Sequence, residues 1–414
     1  MKVYKAYRYE LKPNNKQRGL LLKCAGVARF TWNWAIAQRN ELHRDHKVVS
    51  AIDQHHDIIR LKKSEFSWMK EVSKWIPQES LRKLDRAWIN YNTGHSKGIP
   101  MFKRKGKHDS FRVGAPISVK PDGVKLPKLG FIRTKENTGK FKGRILAATV
   151  NRDVDRWFVS IHVVFDKDDP LPIQGDVVGI DLGIKDFAVI HNGEVVEKFQ
   201  APRPMKNNLK KIQRASKKFS KKRVGSNNFK KEKVKLGKLY RKMRYQRKDF
   251  SNKLTSSLAK TKSVIIIEDL PTKGLMGNKK LARSIADMGW GNFKQTLEYK
   301  ARWYGSKVVV INRYEPSSKT CSECGSINAD LVLNNRVWIC QDCGVTHDRD
   351  ENAAKNIRRI GLSNTVGSTE FQACGVTVRP ILNKASDSEA GSGRRCKTHR
   401  TAELLVKSKM LKVL

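Results

Sequence analysis

Three short acidic motifs, far apart along the chain, carry the residue types best suited to chemistry. Asp181 and Glu268 each end an apolar run that is typical of a β-strand, and Asp350 lies two residues before the helix-like run Asn352–Ile357. Hard divalent cations prefer oxygen ligands, and two such cations about 4 Å apart can activate water and stabilise the leaving oxygen of a phosphodiester. The three acids therefore predict a site for two Mg²⁺ ions, with Mn²⁺ as the substitute.

Three further acids lie close to these in sequence. Asp186 begins the next strand, and Asp269 should point to the opposite face of its strand because side chains alternate. Spacing alone leaves Asp348 and Asp350 as alternatives for the third position. Each acid taken singly also fits a capping or surface residue, so the specific signal is the ordered set on a strand, a strand and a helix.

Four of the seven cysteines form two Cys-x-x-Cys pairs separated by fifteen residues. This spacing is typical of a zinc ribbon, and the predicted metal ligands are Cys321, Cys324, Cys340 and Cys343. Four thiolates leave no open position, so structural Zn²⁺ is favoured over catalytic zinc. Gly325 and Gly344 follow the pairs, where tight turns need glycine. The pattern leaves Cys24, Cys374 and Cys396 as plain thiols.

The charge balance indicates the partner. Among 414 residues, 85 are Lys or Arg and 39 are Asp or Glu, which gives a net charge of +46. Such an excess favours nucleic acid as a partner, although a generic basic protein has the same composition. No apolar run approaches the roughly 20 residues that span a bilayer, and the N-terminus resembles no signal peptide. We expect a cytoplasmic, nucleoid-associated protein with no membrane partner.

In the first part of the chain, alternation predicts a strand over residues 3–12, and helical spacing follows over 16–93. Phe30, Trp32 and Trp34 fit core positions better than base-stacking positions. A basic loop covers residues 94–107, and short strands separated by turns follow to about 168, a texture that indicates a small β-barrel. The opening strand is expected to pair with these strands, leaving the helices as an insertion.

A second unit is predicted from about residue 177. It begins with three consecutive strands, the last two joined by an Asn192-Gly193 turn. Two basic helices over 205–260 fit either a phosphate-tracking surface, which we favour, or a solvated helix pair. A strand to Glu268, a glycine-rich loop, a helix to Tyr304 and a strand from Lys307 complete the predicted order. The tail beyond Gly361 is polar and non-periodic, as in disordered segments.

These motifs together resemble the TnpB family, the OrfB proteins of bacterial insertion sequences and compact relatives of type V CRISPR nucleases. The segments that carry the resemblance are Gly179–Gly183, Ile267–Leu270, Pro316–Gly325 and His347–Ile357, with the N-terminal strand, its helices and the loop Pro100–Lys103. The resemblance implies an α/β multidomain protein with a wedge-like β-barrel, a helical recognition insertion, a ribonuclease H-like RuvC nuclease domain and an inserted zinc ribbon. The implied bounds are 1–13 and 94–176 for the barrel, 14–93 for the insertion, 177–320 and 344–360 for the nuclease, 321–343 for the ribbon and 361–414 for the tail.

The resemblance also implies an activity, that of a metal-dependent, RNA-guided DNA endonuclease. Its partners would be a transposon-encoded guide RNA and double-stranded target DNA beside a short motif read by protein. The catalytic residues that correspond to the family pattern are Asp181, Glu268 and Asp350, which selects Asp350 over Asp348. An RNA-guided repressor and a DNA transposase are the alternatives. The intact set of acids disfavours the repressor, whereas a transposase would use a similar core.

Overall fold

The computed structural model describes residues 1–44, 49–139, 141–332 and 335–366. These residues divide between two units, one holding residues 2–167 and the other beginning at Asp168. None of the described helices is long and apolar enough to cross a membrane.

The unit of residues 2–167 begins with the predicted alternating strand and continues with helices and short strands. Its elements are β1 (Lys2–Lys12), α1 (Asn15–Arg44), α2 (Ala51–Leu61), a 3-10 turn (Ser67–Glu71), α3 (Trp75–Asn92), β2 (Ser110–Gly114), β3 (Ser118–Lys120), β4 (Gly123–Leu126), β5 (Gly130–Thr134), β6 (Arg144–Asp153) and β7 (Arg156–Asp166). The strands form one antiparallel sheet in the order β2-β6-β7-β1-β5-β4-β3. As predicted, β1 pairs with the later strands, Tyr9 lying opposite Val159 on β7 and Leu11 opposite Thr134 on β5.

Helices α1 and α3 share one apolar core with this sheet. Leu84 on α3 and Ile132 and Val159 on the sheet are fully buried in it. Trp32 is buried in the same core, and Phe30 and Trp34 pack against it, which confirms the aromatic residues of α1 as core residues. The single cysteine of this core, Cys24, is free and buried, as predicted for a plain thiol.

The unit beginning at Asp168 contains the remaining elements. They are β8 (Val177–Asp181), β9 (Asp186–His191), β10 (Val196–Gln200), α4 (Pro204–Asn207), α5 (Leu209–Ser220), α6 (Asn227–Thr261), β11 (Val264–Glu268), α7 (Thr272–Leu275), α8 (Ala282–Met288), α9 (Trp290–Tyr304), β12 (Lys307–Ile311), β13 (Val337–Ile339), β14 (Thr346–Asp348) and α10 (Arg349–Val366). The predicted strands and the two basic helices are present near their expected bounds. The predicted Asn-Gly turn joins β9 and β10, and Gly193 takes a φ of 117° there.

The sheet of this unit has the order β10-β9-β8-β11-β12. Strand β11 runs parallel to both β8 and β12, whereas β9 and β10 are antiparallel to their neighbours. Helix α10 packs tightly against the sheet, because Gly179 on β8 brings the two backbones together. A Cβ atom at Gly179 would lie 2.3 Å from the carbonyl oxygen of Ala354.

Two predictions about irregular segments are wrong. The glycine-rich loop after β11 contains the helices α7 and α8, because Ala282–Met288 is a good local helix former that ends at Gly289 with a φ of 72°. The predicted tail starts too early, since α10 continues to Val366. The rest of the predicted tail, 367–414, lies outside the described residues, together with Cys374 and Cys396.

Candidate metal centres

Asp181 and Glu268 lie at the carboxyl ends of neighbouring parallel strands. Ile180 of β8 is in register with Ile267 of β11, so the next residue on each strand is an acid. Parallel neighbours are spaced about 4.8 Å apart. The apolar runs that precede both acids are buried in the sheet and fix the strand ends. The two carboxylates are therefore held side by side at the carboxyl ends of β8 and β11.

The surroundings of these acids oppose ionisation. Burial, together with the negative charges of Glu268 and Asp350, raises the pKa of Asp181 from 3.8 to about 8. Asp181 nevertheless keeps part of its surface open to solvent. Burial also raises the pKa of Glu268, against the opposing hydrogen bond from Ser317. Like charges in a poorly hydrated place favour the protonated form unless a cation compensates them.

Asp350 lies in the first turn of α10, near enough to Asp181 to raise its pKa. Its two carboxylate oxygens accept hydrogen bonds from Nη1 of Arg336 at 2.9 and 3.0 Å. Arg336 belongs to the predicted ribbon, residues 321–343, and about half of its side chain is exposed. The structure thus places Glu268 and Asp350 near enough to Asp181 for their charges to raise its pKa, and it adds a guanidinium that the sequence did not indicate.

The neighbouring acids have other partners. Asp348 caps α10, because its Oδ1 accepts from the backbone N–H groups of Asp350 and Glu351 at 2.9 and 3.2 Å. Burial opposes the ionisation of Asp348, but these bonds and Lys198 outweigh it and lower its pKa. Asp269 pairs with Lys294 and Arg313. These contacts give Asp348 and Asp269 structural roles.

The four predicted metal ligands form one cluster. The sulfur atoms of Cys321, Cys324, Cys340 and Cys343 all lie within 4.8 Å of one another. Cys321 and Cys343 are 3.6 Å apart, and Cys324 and Cys340 are 3.5 Å apart. Four sulfurs at 2.3 Å from one zinc ion would be separated by about 3.8 Å, the edge of the tetrahedron. The observed spacing suits such an ion.

Local geometry supports this cluster. Gly325 and Gly344 take φ values of 83° and 71°, so both predicted turns need glycine. The Ser326 hydroxyl, 3.1 Å from Cys340, lowers the pKa of that thiol to about 6, with help from backbone N–H groups. His347, missed in the sequence, is buried with Nε2 3.0 Å from the Cys321 sulfur. Second-layer contacts of this kind orient metal ligands.

A buried polar segment lies between the two centres and was also missed. Ser317 donates from its hydroxyl to Oε1 of Glu268. Asn352 and Asn356, both buried on α10, donate to backbone carbonyls of Ser317 and Thr320. The available signal was the i, i+4 spacing of two asparagines on the core-facing side of an alanine-rich helix.

The basic helices α5 and α6 lie side by side in this unit and are joined at their tip by Phe219 and Phe229, whose rings are 4.6 Å apart. The helices are predominantly basic, and their acids are Glu232 and Asp249. Leu254 and Leu258 anchor the end of α6 in the core. Most of the remaining length presents lysine and arginine to solvent.

Family models match three parts of the chain. Residues 160–279 match a model described as a probable transposase of the OrfB type, and 290–357 match the TNB domain of Cas12f1-like proteins. Residues 1–47 match a model described as a helix-turn-helix domain. The described part of that range forms one strand and one long helix, β1 and α1.

Curated relatives extend over most of the chain. A protein of Streptomyces pristinaespiralis, named a putative RNA-guided DNA endonuclease, is 34% identical over 91% of this chain and 92% of its own length. This chain belongs to the TnpB family. InsQ of Escherichia coli K12, named in the same way, is 29% identical over 94% of this chain and 98% of its own length. The family assignment confirms the resemblance drawn from the motifs.

A solved structure has a similar fold. The Cas12f1 chain of a Cas12f1–sgRNA–target DNA complex aligns with a TM-score of 0.53 at 14% identity, covering 86% of this chain and 99% of that one. At this identity the likeness concerns the fold alone.

Proposed function

We propose that this TnpB-family protein is a transposon-encoded, RNA-guided DNA endonuclease that hydrolyses phosphodiester bonds of double-stranded DNA. The observation that carries the proposal is the convergence of Asp181, Glu268 and Asp350 from two parallel strand ends and one helix start. We further assign the sheet of β8–β12 as a ribonuclease H-like RuvC core. The sheet of residues 2–167 would form the wedge barrel, with 14–93 as the recognition insertion.

The three acids suit divalent cations. All are carboxylates, the ligand class that Mg²⁺ and Mn²⁺ prefer, and the raised pKa of Asp181 reflects its burial and, after that, the negative charges of Glu268 and Asp350. When bound there, two Mg²⁺ ions would supply charge stabilisation and an activated water. Asp181, Glu268 and Asp350 would hold them, while the apolar strands β8 and β11 keep the first two carboxylates in place.

The four-cysteine cluster suits structural Zn²⁺, because all four ligand positions would be filled by thiolates. The ribbon lies between β12 and α10 in sequence, and its Arg336 reaches Asp350. We therefore infer that zinc binding stabilises one border of the carboxylate site. Zinc would have no direct part in the chemistry.

The positive charge of the chain fits nucleic-acid partners. A guide RNA would read the target by base pairing, while basic side chains hold the duplex by its phosphates. The exposed lysines and arginines of α5 and α6 are the densest candidates for such contacts. A short motif beside the target would be read by the protein itself.

The deciding experiment is a cleavage assay on protein co-purified with RNA from its own flanking locus. With Mg²⁺ present, it receives duplex DNA that matches the guide beside a randomised short motif. We expect cutting restricted to one motif and abolished in Asp181→Ala, with guide RNA still bound by that variant. Asp186→Ala is the matched control, since Asp186 begins the next strand.

The other outcomes separate the alternatives. Guided binding without cutting would indicate a repressor, and strand joining in addition to cutting would indicate a transposase. Loss of RNA binding in Asp181→Ala would contradict the proposed separation between RNA binding and chemistry. The absence of both binding and cutting with the native locus RNA would overturn the proposal.

A further inference from the structure

Ser317 is a buried residue whose hydroxyl contacts one of the candidate catalytic acids. The residue is 5% exposed, and its Oγ donates to Oε1 of Glu268 at 2.5 Å. Glu268 lies at the end of β11, so the strand fixes its backbone but leaves its side-chain torsions free. The hydrogen bond from Ser317 restrains those torsions and leaves the second carboxylate oxygen available to a cation.

Helix α10 holds the same segment from the other side. The Nδ2 groups of Asn352 and Asn356 donate to the carbonyl of Thr320 at 2.7 and 2.6 Å, and that of Asn356 also donates to the carbonyl of Ser317 at 2.8 Å. Oδ1 of Asn352 accepts from the backbone N–H of Ser322 at 2.9 Å. Both asparagines are at most 1% exposed. Buried amides with this many bonds fix backbone position strongly.

The segment continues directly into the cysteine cluster. Thr320, whose carbonyl takes both asparagine bonds, is followed by the fully buried Cys321. Asn352 lies two residues after Asp350 on α10. In the segment Ser317–Ser322, Ser317 contacts Glu268 and Cys321 is a candidate zinc ligand. The backbone of the same segment is hydrogen-bonded to α10, the helix that carries Asp350.

We propose that Ser317 is a positioning residue for Glu268, and that the segment Ser317–Ser322 couples zinc binding in the ribbon to cation binding at the carboxylates. This inference rests on the proposed function, because it takes Asp181, Glu268 and Asp350 as the cation ligands. When the ribbon holds zinc, Cys321 fixes the segment, and the Ser317 hydroxyl holds Glu268 in the orientation that binds the cation.

The first test measures Mn²⁺ affinity of the zinc-loaded full chain by calorimetry. Ser317→Ala should weaken Mn²⁺ binding about tenfold or more, the usual cost of losing an outer partner of a metal ligand. Ser318→Ala is the matched control, because Ser318 is the same residue type one position on. Within the described part of the chain its side chain has no hydrogen bond, and its removal should change the affinity by no more than about twofold.

Two further variants separate the possible failures. Glu268→Gln should abolish Mn²⁺ binding at this site. If Glu268→Gln binds Mn²⁺ as tightly as the unmodified chain does, the assignment of the carboxylates as cation ligands is wrong. The proposed function and the positioning role of Ser317 are then both overturned. If Glu268→Gln abolishes binding while Ser317→Ala matches Ser318→Ala, only the positioning role is overturned. Ser317→Thr keeps the hydroxyl and should keep the Mn²⁺ affinity. A loss of Mn²⁺ affinity in folded Ser317→Thr would also contradict the positioning role of Ser317.

The coupling has its own readout, independent of activity. Linkage is reciprocal, so saturating Mg²⁺ should raise the affinity of the chain for zinc, measured at equilibrium by competition with a zinc-selective chelator. Ser317→Ala should still load one zinc per chain but lose this dependence on Mg²⁺. An equal gain in zinc affinity from Mg²⁺ in Ser317→Ala and in the unmodified chain would overturn the coupling.

Discussion

At the scale of single residues, the candidate site contains two carboxylates, those of Asp181 and Glu268, whose pKa values the fold raises. Burial and the charges of Glu268 and Asp350 move the pKa of Asp181 to about 8. Because folding raises the pKa of Asp181 and Glu268, these two acids lower the stability of the folded chain near neutral pH. A bound divalent cation would reverse that effect, because it binds their ionised forms.

The first prediction concerns pH. Since folding raises the pKa of Asp181, its contribution to stability is full below 3.8 and is lost as the pH rises through about 8. Asp181→Asn removes this titration, so in magnesium-free buffer its melting temperature should fall less between pH 4 and pH 8 than that of the unmodified chain. Mg²⁺ should raise the melting temperature of the unmodified chain at pH 8 and leave that of the variant unchanged. Parallel melting profiles of the two proteins would contradict this assignment.

The second prediction concerns Arg336, whose guanidinium bonds both oxygens of Asp350. A cation at Asp350 must displace or share that partner. A half-exposed ion pair contributes up to about 1 kcal/mol, so Arg336→Gln should tighten Mn²⁺ binding by up to about fivefold, measured by calorimetry. Arg313→Gln loses the same charge but removes a contact to Asp269, which keeps its bond to Lys294. An equal gain in both variants would mean that general electrostatics, and not this contact, sets the affinity.

The sequence indicated some of these residues and not others, for a physical reason. Asp181 and Glu268 are visible because each ends a continuous apolar run, and such runs become buried strands. Spacing could not decide whether Asp348 or Asp350 is the third acid of the site. The two differ in their contacts, because the carboxylate of Asp348 accepts a hydrogen bond from the backbone of α10. Ser317 and Arg336 contact residues 49 and 14 positions away, respectively. Contacts over such distances leave no local pattern.

At the scale of elements, the site depends on how closely α10 approaches β8. Gly179 faces the backbone of α10, and a Cβ atom there would lie 2.3 Å from the Ala354 carbonyl and 2.5 Å from the Arg358 nitrogen. Ala354 and Ile357 are fully buried at the contact. Small residues on both elements thus bring Asp350 of the helix up to the strand that carries Asp181.

The third prediction tests this packing. Gly179→Ala should push α10 away from the sheet, destabilise the protein by about 2–3 kcal/mol and weaken Mn²⁺ binding. A melting curve and a titration measure the two effects. Gly291→Ala is the control, because its added Cβ would meet its nearest neighbour at an ordinary 3.7 Å. In helix α9 that change should be neutral or slightly stabilising. Similar melting of both variants would show that the close approach is not required.

Most elements were predictable because their signals are local. The alternation in β1, the Asn192-Gly193 turn and the apolar strands of the second sheet all appear near their expected bounds. The segment after β11 was predicted as a loop because of its glycines, but Ala282–Met288, which lies between those glycines, forms a helix. The order β10-β9-β8-β11-β12 could not be derived from pattern alone, since it depends on pairing between strands separated by long helices.

At the scale of the whole molecule, charge is the dominant property. A net charge of +46 makes the chain repel itself and attract polyanions. Part of that charge is concentrated on α5, where Lys210, Lys211, Lys217 and Lys218 are exposed. This concentration of charge favours the interpretation that α5 binds along a phosphate backbone. The other interpretation left open by the sequence is a helix pair that contacts only solvent.

The fourth prediction distinguishes those two interpretations. Each phosphate neutralised by a lysine releases a counterion and adds roughly 0.7–0.9 to the slope of log affinity against log salt. Replacing the four lysines of α5 by Gln should therefore reduce the magnitude of that slope for guide RNA by about 3, measured by filter binding between low and physiological salt. Replacing the same four by Arg keeps the charge and should keep the slope. If the Gln variant retains the full slope, α5 is a solvated surface and the phosphate contacts lie elsewhere on the chain.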